Sequence, residues 1–167
     1  MTRFSLSSYT IRVKNEAKKS YERIDNLNGG TDLFNILNDY LSNRKANLAH
    51  DRKHKKLLGV DKIISKDRLL NGIIETGDYG YESNLKNIDL GSISHKRKIN
   101  EAEMLPFYYL MHLPKNNDEG IVILQRFKQF GIRKHLLDDF RDYFTSKYSS
   151  LLLQKEYVVL PIVKSST

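Results

Sequence analysis

The sequence reads FYYLMHL at residues 107–113, PKNNDEG at 114–120 and IVILQRF at 121–127. The first and third segments are nearly continuous apolar runs, which is typical of buried strands. The middle segment has the Pro, Asn, Asp and Gly composition of a turn. Together the three segments predict a β-hairpin at the centre of a sheet, and the rest of the fold is interpreted around it.

Apolar residues downstream of the hairpin recur with helical spacing. They predict an amphipathic helix from about Ile132 to Tyr148 that packs one face on the sheet. The residues that share this face are Ile132, Leu136, Phe140, Tyr143 and Phe144. A last apolar stretch, from Tyr157 to Lys164, predicts a strand, and Pro161 restricts it to an edge or a bulge because proline has no backbone donor.

Two elements are predicted near the start of the chain. Apolar and polar residues alternate from Arg3 to Val13, which is typical of a strand. The alternation shifts by one residue at Ser7–Ser8, which predicts a β-bulge. Apolar residues at helical spacing then predict a helix from about Asp32 to Asn43. Thr31 or Asp32 is its expected N-cap, because a side-chain oxygen there can accept the unpaired N–H groups of the first turn.

Two further strands are predicted between this helix and the hairpin, from Leu57 to Ile64 and from Leu69 to Tyr81. The second contains Gly72, Gly77 and Gly80, and glycine within a strand indicates a bulge or a close backbone approach. The segment from Ser83 to Asn100 predicts a long polar connection, and connections of that length are often functional.

The predicted order is strand, helix, two strands, central hairpin, helix, strand. This order indicates a single α+β domain over residues 1–164, with a mainly antiparallel sheet and two main helices packed against it. Residues 165–167 form a short tail. Because an apolar strand stands so near the end of the sequence, we expect the chain to be the N-terminal part of a longer protein.

Composition and charge exclude several classes of protein. The 167 residues include no Cys, which excludes disulfide scaffolds, thiolate metal sites and cysteine nucleophiles. No apolar run approaches the ~20 residues that span a bilayer, and no signal peptide is evident, so we expect a cytoplasmic protein without a membrane partner. The 28 Lys and Arg residues exceed the 20 Asp and Glu residues, which gives a net charge of +8 and favours an anionic partner.

The sharpest local match to a catalytic motif is His50-Asp51-Arg52-Lys53-His54. On a helix, two histidines four residues apart lie on one face, as in the His-Glu-x-x-His zinc proteases. Here Asp replaces Glu, the flanking cations would repel a metal ion, and no third ligand is identifiable. We interpret the segment as a solvated basic stretch, and no metal or cofactor is predicted.

Carboxylates occur close together at two places, and a metal-dependent nuclease needs such groups. Asp138, Asp139 and Asp142 lie on the predicted last helix, and Glu101 and Glu103 precede the hairpin. Basic residues neighbour the aspartates on that helix, so we interpret them as a charge-paired surface. The sequence contains no Gly-x-Ser-x-Gly elbow and no phosphate-binding glycine loop, and no catalytic residue is assigned.

The basic residues fall into four clusters: Arg12 to Arg23, Arg44 to Lys56, Lys96 to Lys98 and Arg126 to Lys134. If the fold brings two of them together, they would neutralise several phosphates, and binding would weaken steeply with salt. The residues predicted to contact phosphate are Arg52, Lys53, Lys55, Lys56, Lys96, Arg97 and Lys98.

Tyr79 and Tyr81 stand two apart on a predicted strand and would share one face. They could stack on bases, as sheet aromatics do in single-strand binders, or serve ordinary cross-strand packing, which is the commoner role. The leading hypothesis is a non-enzymatic domain that binds nucleic acid, DNA rather than RNA, with little specificity for the base sequence.

The stretch from Glu101 to Phe144, EAEMLPFYYLMHLPKNNDEGIVILQRFKQFGIRKHLLDDFRDYF, has an apolar strand, a turn, a second strand, a Gly and an amphipathic helix. In this it resembles the N-terminal half of RexA-like phage-exclusion proteins and related phage-defence proteins. The earlier helix and strands occur in a comparable order. The resemblance implies DNA binding, self-association and a role in defence or mobile elements. It carries over no functional residue.

Two other functions fit the sequence. One is a metal-independent nuclease or toxin, which can use His, Arg, Lys and Tyr scattered over the chain; loss of cleavage in His50→Ala or His54→Ala would favour it. The other is a docking or oligomerisation domain of a larger defence protein, because an exposed edge from Tyr157 to Lys164 could pair with another chain.

Overall fold

The computed structural model describes residues 4–15, 19–147 and 155–161 of the chain. The elements in this part are β1 (Phe4–Asn15), β2 (Ser20–Glu22), α1 (Leu33–Ala46), β3 (Ala49–Asp51), β4 (Lys56–Lys66), β5 (Leu69–Asp78), β6 (Ser83–Lys86), β7 (Ile93–Arg97), β8 (Leu105–His112), β9 (Glu119–Phe127), β10 (Phe130–Gly131), α2 (Arg133–Lys147) and β11 (Lys155–Pro161). The predicted tail at 165–167 lies outside the described residues.

Strands β8 and β9 form the predicted hairpin and stand at the middle of the large sheet. The sheet order is β11-β1-β9-β8-β5-β4-β3, with β2 added to β1 and β10 added to β9. Every recorded strand pair is antiparallel. The predicted α+β fold, with a mainly antiparallel sheet, a central hairpin and two main helices, is therefore confirmed.

Both helices cover one face of this sheet, which we call the inner face. Alternate residues of the central strands are buried there, such as Tyr109 and Met111 of β8 and Leu124 of β9. Leu37 of α1 and Leu136 of α2 meet these strands around one apolar space. Strand alternation sends the remaining side chains to the outer face, so the core lies between the sheet and the helices.

Helix α1 begins where the sequence predicts. Asp32 is the N-cap, and its side chain accepts a hydrogen bond from the backbone N of Phe34 at 2.9 Å. The same carboxylate binds both Nη1 and Nη2 of Arg68, and Arg68 Nε donates to the carbonyl of Leu113 at 2.6 Å. Asp32 therefore ties the start of α1 to the β4–β5 turn and, through Arg68, to the end of β8.

The two helices also pack on each other. The ring of Tyr40 on α1 lies 5.1 Å from the ring of Phe140 and 5.3 Å from that of Tyr143, both on α2. Asp139 of α2 accepts hydrogen bonds from Tyr40 Oη at 2.7 Å and from Arg44 Nε at 2.6 Å. The carboxylate thus joins the helices at a largely buried position.

The β-bulge predicted at Ser7–Ser8 is wrong. Strand β1 pairs with β9 in unbroken register from Phe4 opposite Phe127 to Arg12 opposite Glu119. Phe4 and Leu6 therefore point to the outer face, where they are 60% and 63% exposed. The ring of Phe4 packs against that of its cross-strand partner Phe127 at 5.4 Å, so Phe4 has an apolar contact although it lies outside the core.

The register shift occurs in β4 instead. It lies between Val60, which pairs with Ile74, and Lys62, which pairs with Ile73. The backbone of Gly72 packs closely against β4 at this shift. A Cβ on Gly72 would lie only 1.8 Å from the carbonyl oxygen of Lys62. A Cβ at Gly77 would lie 2.2 Å from the carbonyl oxygen of Glu103. The close backbone approach predicted for the strand glycines is confirmed at both positions.

Three predicted segments differ from the structure. The connection from Ser83 to Asn100 contains a separate hairpin, β6–β7, in which Asn84 pairs with Lys96. Strand β5 ends at Asp78 and not at Tyr81. The last strand is an edge strand that pairs with β1, as Pro161 predicts, but its bounds are Lys155–Pro161, and 162–164 lie outside the described residues.

We expect Gly72→Ala to lower the free energy of unfolding by about 1–3 kcal/mol, because the new methyl group must displace the β4 backbone. Gly30→Ala is the matched control, since a Cβ there meets nothing within 4 Å, and its change should stay within about 0.5 kcal/mol. Urea unfolding followed by circular dichroism measures both. Equal stability of the two variants would show that the contact between β4 and β5 adapts to a side chain.

Candidate nucleic-acid interface

The first predicted phosphate-contacting group lies at the turn between β3 and β4. Asp51 holds this turn, because its carboxylate accepts a hydrogen bond from the backbone N of His54 at 2.9 Å and lies 2.7 Å from His54 Nδ1. Both contacts lower the pKa of Asp51, and the backbone hydrogen bond has the larger effect. The exposed basic side chains of the turn are Arg52, Lys53, Lys55 and Lys56.

The second predicted group lies at the end of β7. Lys96 and Lys98 are exposed, whereas Arg97 points inward and is 5% exposed. Glu101 closes the turn that follows, since its carboxylate accepts from the backbone N of Lys98 at 2.9 Å and lies 3.0 Å from His95 Nε2. These contacts lower the pKa of Glu101. This carboxylate therefore has a local structural role.

The segment that follows β5 brings the two groups together. The backbone N of Tyr79 donates to the carbonyl of Lys55 at 3.0 Å, and the backbone N of Gly80 donates to the carbonyl of Ile99 at 2.9 Å. Gly80 has a φ of +93°, and the Lys55 side chain lies against it. One short segment is thus bonded on one side to the first basic group and on the other side to the second.

The two tyrosines of this segment do not share a strand face, because β5 ends before them. The Nζ of Lys55 lies 5.8 Å from the ring centroid of Tyr79, and the guanidinium of Arg97 lies 3.9 Å from that of Tyr81. Tyr81 is still 51% exposed. Each tyrosine therefore packs against a cation of a different basic group.

Arg97 is a buried cation with most of its hydrogen-bonding capacity unused. Its Nη1 donates to the carbonyl of Asp78 at 3.4 Å. Its Nε and Nη2 are buried and have no partner among the described residues. Leaving a buried charged donor unpaired is costly in free energy, so each such group in a folded protein calls for an explanation.

Arg97 lines a cleft that is partly open to solvent. Lys56 lines the same cleft, so each basic group contributes one residue to it. Three aromatic residues, Tyr81, Phe107 and Phe130, and two acids, Asp78 and Glu103, complete its charged and aromatic lining. Lys56 Nζ pairs with Asp78 at 3.4 Å. No ion pair joins Arg97 to Glu103 or Asp78 among the described residues, so the buried guanidinium has no carboxylate partner there.

A second cleft lies beside the β3–β4 turn. Arg52, Lys53 and His54 line one side, and three aspartates of α2 line the other. Asp138 pairs with Lys134 at 2.5 Å and with Arg141 at 3.8 Å, and Asp139 pairs with Arg44 at 2.6 Å. The interpretation as a charge-paired surface is confirmed for Asp138. Asp139 is also paired, but it joins the two helices and does not lie on a solvated face, and Asp142 forms no ion pair among the described residues.

The histidines of the zinc-like motif do not lie on a helix, because His50 is in β3 and His54 is in the turn after it. Among residues 4–15 and 19–147, no group of three or more His, Asp or Glu side chains is arranged to hold a metal ion.

The sequence gives no signal for several residues of these clefts. His135, on the first turn of α2, lines the second cleft, although 81 residues separate it from His54 in the chain. Thr76 and Phe130 reach the first cleft from β5 and β10. None of them belongs to a motif, and only the sheet and the helix packing bring them near the basic turn.

The other two basic clusters contain cations that are engaged elsewhere. Arg12 binds Glu119 through both Nε and Nη2, and Arg23 binds Asp25 at 2.9 Å. The guanidinium of Arg133 lies 4.8 Å from the ring centroid of Tyr9. The fourth cluster still approaches the first basic group, because Lys134 lines a cleft together with Lys56 and His54.

No protein-family model matches the chain, and comparisons with curated proteins and with solved structures find no match. Within the described part of the chain, neither helix has the length and apolar character needed to cross a membrane.

If the cleft takes an anion at Arg97, inorganic phosphate should raise the Tm of the protein. At a phosphate concentration ten times the Kd, the Tm of a chain of this length should rise by about 3–5 °C. Arg97→Met should lose this rise, because it lacks the donors but keeps much of the packing. The exposed Lys66→Met is the matched control and should keep it. Scanning calorimetry in phosphate and in chloride of equal ionic strength measures the difference, and an equal rise in all three proteins would exclude a phosphate site at Arg97.

Proposed function

We propose that this protein binds a strand of nucleic acid in the Arg97 cleft and along the basic turn beside it, without specificity for the base sequence. The observation that carries the proposal is the unpaired, buried guanidinium of Arg97 at the junction of two basic groups. A guanidinium presents its donors in a planar fork that suits the oxygens of a phosphate. A phosphate would supply the partners that Nε and Nη2 lack, provided that the side chains that bury these atoms, Tyr81 among them, move aside when it binds.

The cations around the cleft support an extended ligand. None of Arg52, Lys53, Lys55, Lys96 and Lys98 forms an ion pair with a described carboxylate, in contrast to Arg12, Arg23, Arg44 and Arg68. Exposed cations without acidic partners attract phosphates and release counterions when they bind them. Their positions on two neighbouring turns favour several successive phosphates over a single small anion.

The aromatic side chains of the cleft support a strand with accessible bases. Tyr81 is half exposed beside the Arg97 guanidinium, and Phe130 is 49% exposed on the same cleft. Stacking on such rings is tolerant of sequence because every base has a π-face. These contacts fit single-stranded DNA and RNA alike. The preference for DNA and the role in phage defence follow from the sequence and its resemblance, and both stay predictions.

A second candidate is a docking or self-associating domain. It is favoured by the apolar side chains of the outer face, where Phe4, Leu6 and Ile121 are exposed, and by the place of β11 at the edge of the sheet. An exposed edge strand can pair with another chain. Self-association that is insensitive to salt, together with no binding of nucleic acid at low salt, would favour this candidate.

The test is a salt titration of binding to labelled single- and double-stranded DNA and RNA. We expect affinity to fall steeply with salt. The triple variant Arg52→Glu, Lys53→Glu, Lys55→Glu should bind more weakly, and its slope of log K against log salt should be smaller by about 2, since each lost phosphate contact on a single strand removes about 0.7.

The matched control carries Lys62→Glu, Lys66→Glu and Lys115→Glu, which change the net charge by the same amount at exposed positions away from the cleft. Its slope should stay close to that of the unmodified protein. Equal weakening in both triple variants would mean that only diffuse charge attracts the nucleic acid. An unchanged slope in the first variant would exclude the β3–β4 turn from the interface.

A further inference from the structure

Two histidines from distant parts of the chain face the same space beside the proposed binding cleft. His54 in the β3–β4 turn and His135 on α2 both line one cleft, together with Asp51, Lys56 and Lys134. Lys56 and Gly131 also line the Arg97 cleft. The histidine pair therefore borders the path along which a bound strand would run.

The hydrogen bonds of His54 determine which ring nitrogen is available. Its Nδ1 lies 2.7 Å from the carboxylate of Asp51. An ionised carboxylate only accepts hydrogen bonds, so Nδ1 must carry the proton that is shared with it. The Nε2 atom is left to exchange a proton with a ligand, and Asp51 is a suitable partner for the imidazolium form.

The hydrogen bonds of His135 lead to the same tautomer by a different route. Its Nδ1 lies 3.0 Å from the hydroxyl oxygen of Thr76. That hydroxyl donates its own hydrogen to the carbonyl of Leu57 at 2.8 Å. Thr76 can therefore only accept from His135, which places the proton of the neutral ring on Nδ1 and a lone pair on Nε2.

The surroundings of His135 favour the neutral form of its imidazole. Burial is the largest effect and lowers its pKa. Lys56 acts in the same direction, whereas Asp139, Asp51 and Asp138 act against it. His135 can therefore accept a proton near neutral pH, whereas the ring of His54 is in contact with the carboxylate of Asp51.

We propose that the protein cleaves RNA by transphosphorylation, with Nε2 of His135 as general base and Nε2 of protonated His54 as general acid. This inference rests on the proposed function, because it needs the strand to lie in the cleft. It identifies RNA as the substrate class, since the nucleophile is the 2′-hydroxyl of the RNA itself.

The reaction balances without another reactant. His135 takes the proton of a 2′-hydroxyl, and the oxygen attacks the adjacent phosphorus to form the 2′-O–P bond. The P–O5′ bond breaks, and His54 gives its proton to the leaving 5′-oxygen. The products are a 2′,3′-cyclic phosphate and a 5′-hydroxyl end. Lys56, which lines both clefts, is placed to stabilise the negative charge that develops on the phosphate oxygens.

The experiment uses the full chain and a labelled DNA strand that contains one ribonucleotide. We expect cleavage only at the ribonucleotide, equal rates with and without EDTA, and a cyclic phosphate on the upstream product. His54→Ala and His135→Ala should each lower the rate by about 10²–10⁴-fold. His112→Gln, on the outer face of the sheet, is the matched histidine control and should keep the rate. Circular dichroism checks that each variant is folded.

The same substrate tests Thr76 as a positioning residue. Thr76→Val should lower the rate because nothing then fixes the tautomer of His135, and Thr76→Ser, which keeps the hydroxyl, should restore it. Since burial lowers the pKa of His135, the neutral base persists as pH falls. The rate should therefore hold at pH 6.5, where an ordinary histidine is half protonated, and fall only at lower pH.

The outcomes separate this inference from the proposed function. Binding of the strand without cleavage overturns the inference and leaves the proposed function standing. Absence of binding at low salt overturns both. Cleavage that persists equally in His54→Ala and His135→Ala, or that also cuts an all-DNA strand, assigns the activity to another source and overturns the histidine mechanism.

Discussion

The carboxylate of Asp139 is the contact on which the arrangement of this protein depends. It accepts hydrogen bonds from Tyr40 and Arg44, and all three side chains lie between the two helices. Burial, together with this carboxylate, raises the pKa of Tyr40 well above its ordinary value, so the hydroxyl stays a donor. Removing one partner of a buried ion pair typically costs about 3–5 kcal/mol, because the other charge is left uncompensated.

This contact has a consequence for the site as well as for stability. It sets the position of α2 relative to α1, and the first turn of α2 carries His135 and Lys134 to the edge of the cleft. The opposite side of the cleft is the turn that follows β3, which Asp51 holds through His54. The helix contact and the turn together bring residues far apart in the sequence to one space.

Acidic and basic side chains both line the two clefts, and only some of them are paired. Asp51, Asp138 and Asp139 each have a basic partner within the fold. Arg52, Lys53 and Lys55 have no acidic partner among the described residues, and Arg97 has buried donors without acceptors. Glu103 and Asp142, which line the same clefts, also form no ion pair among the described residues. Attraction for a polyanion therefore comes from the exposed cations of the two turns.

The sequence by itself determined the fold class, because the hairpin, both helices and the N-cap at Asp32 depend on apolar periodicity and turn chemistry within short segments. The same local patterns found the basic residues that the structure places on two neighbouring turns. They did not find the unbroken register of β1, the hairpin at β6–β7, or the end of β5 at Asp78, since pairing partners decide these features. Only the tertiary structure decided that Arg97 is buried without a carboxylate partner among the described residues and that His135 faces His54. The physical reason is that burial and proximity arise from the packing of helices on a sheet, which joins side chains that no sequence spacing relates.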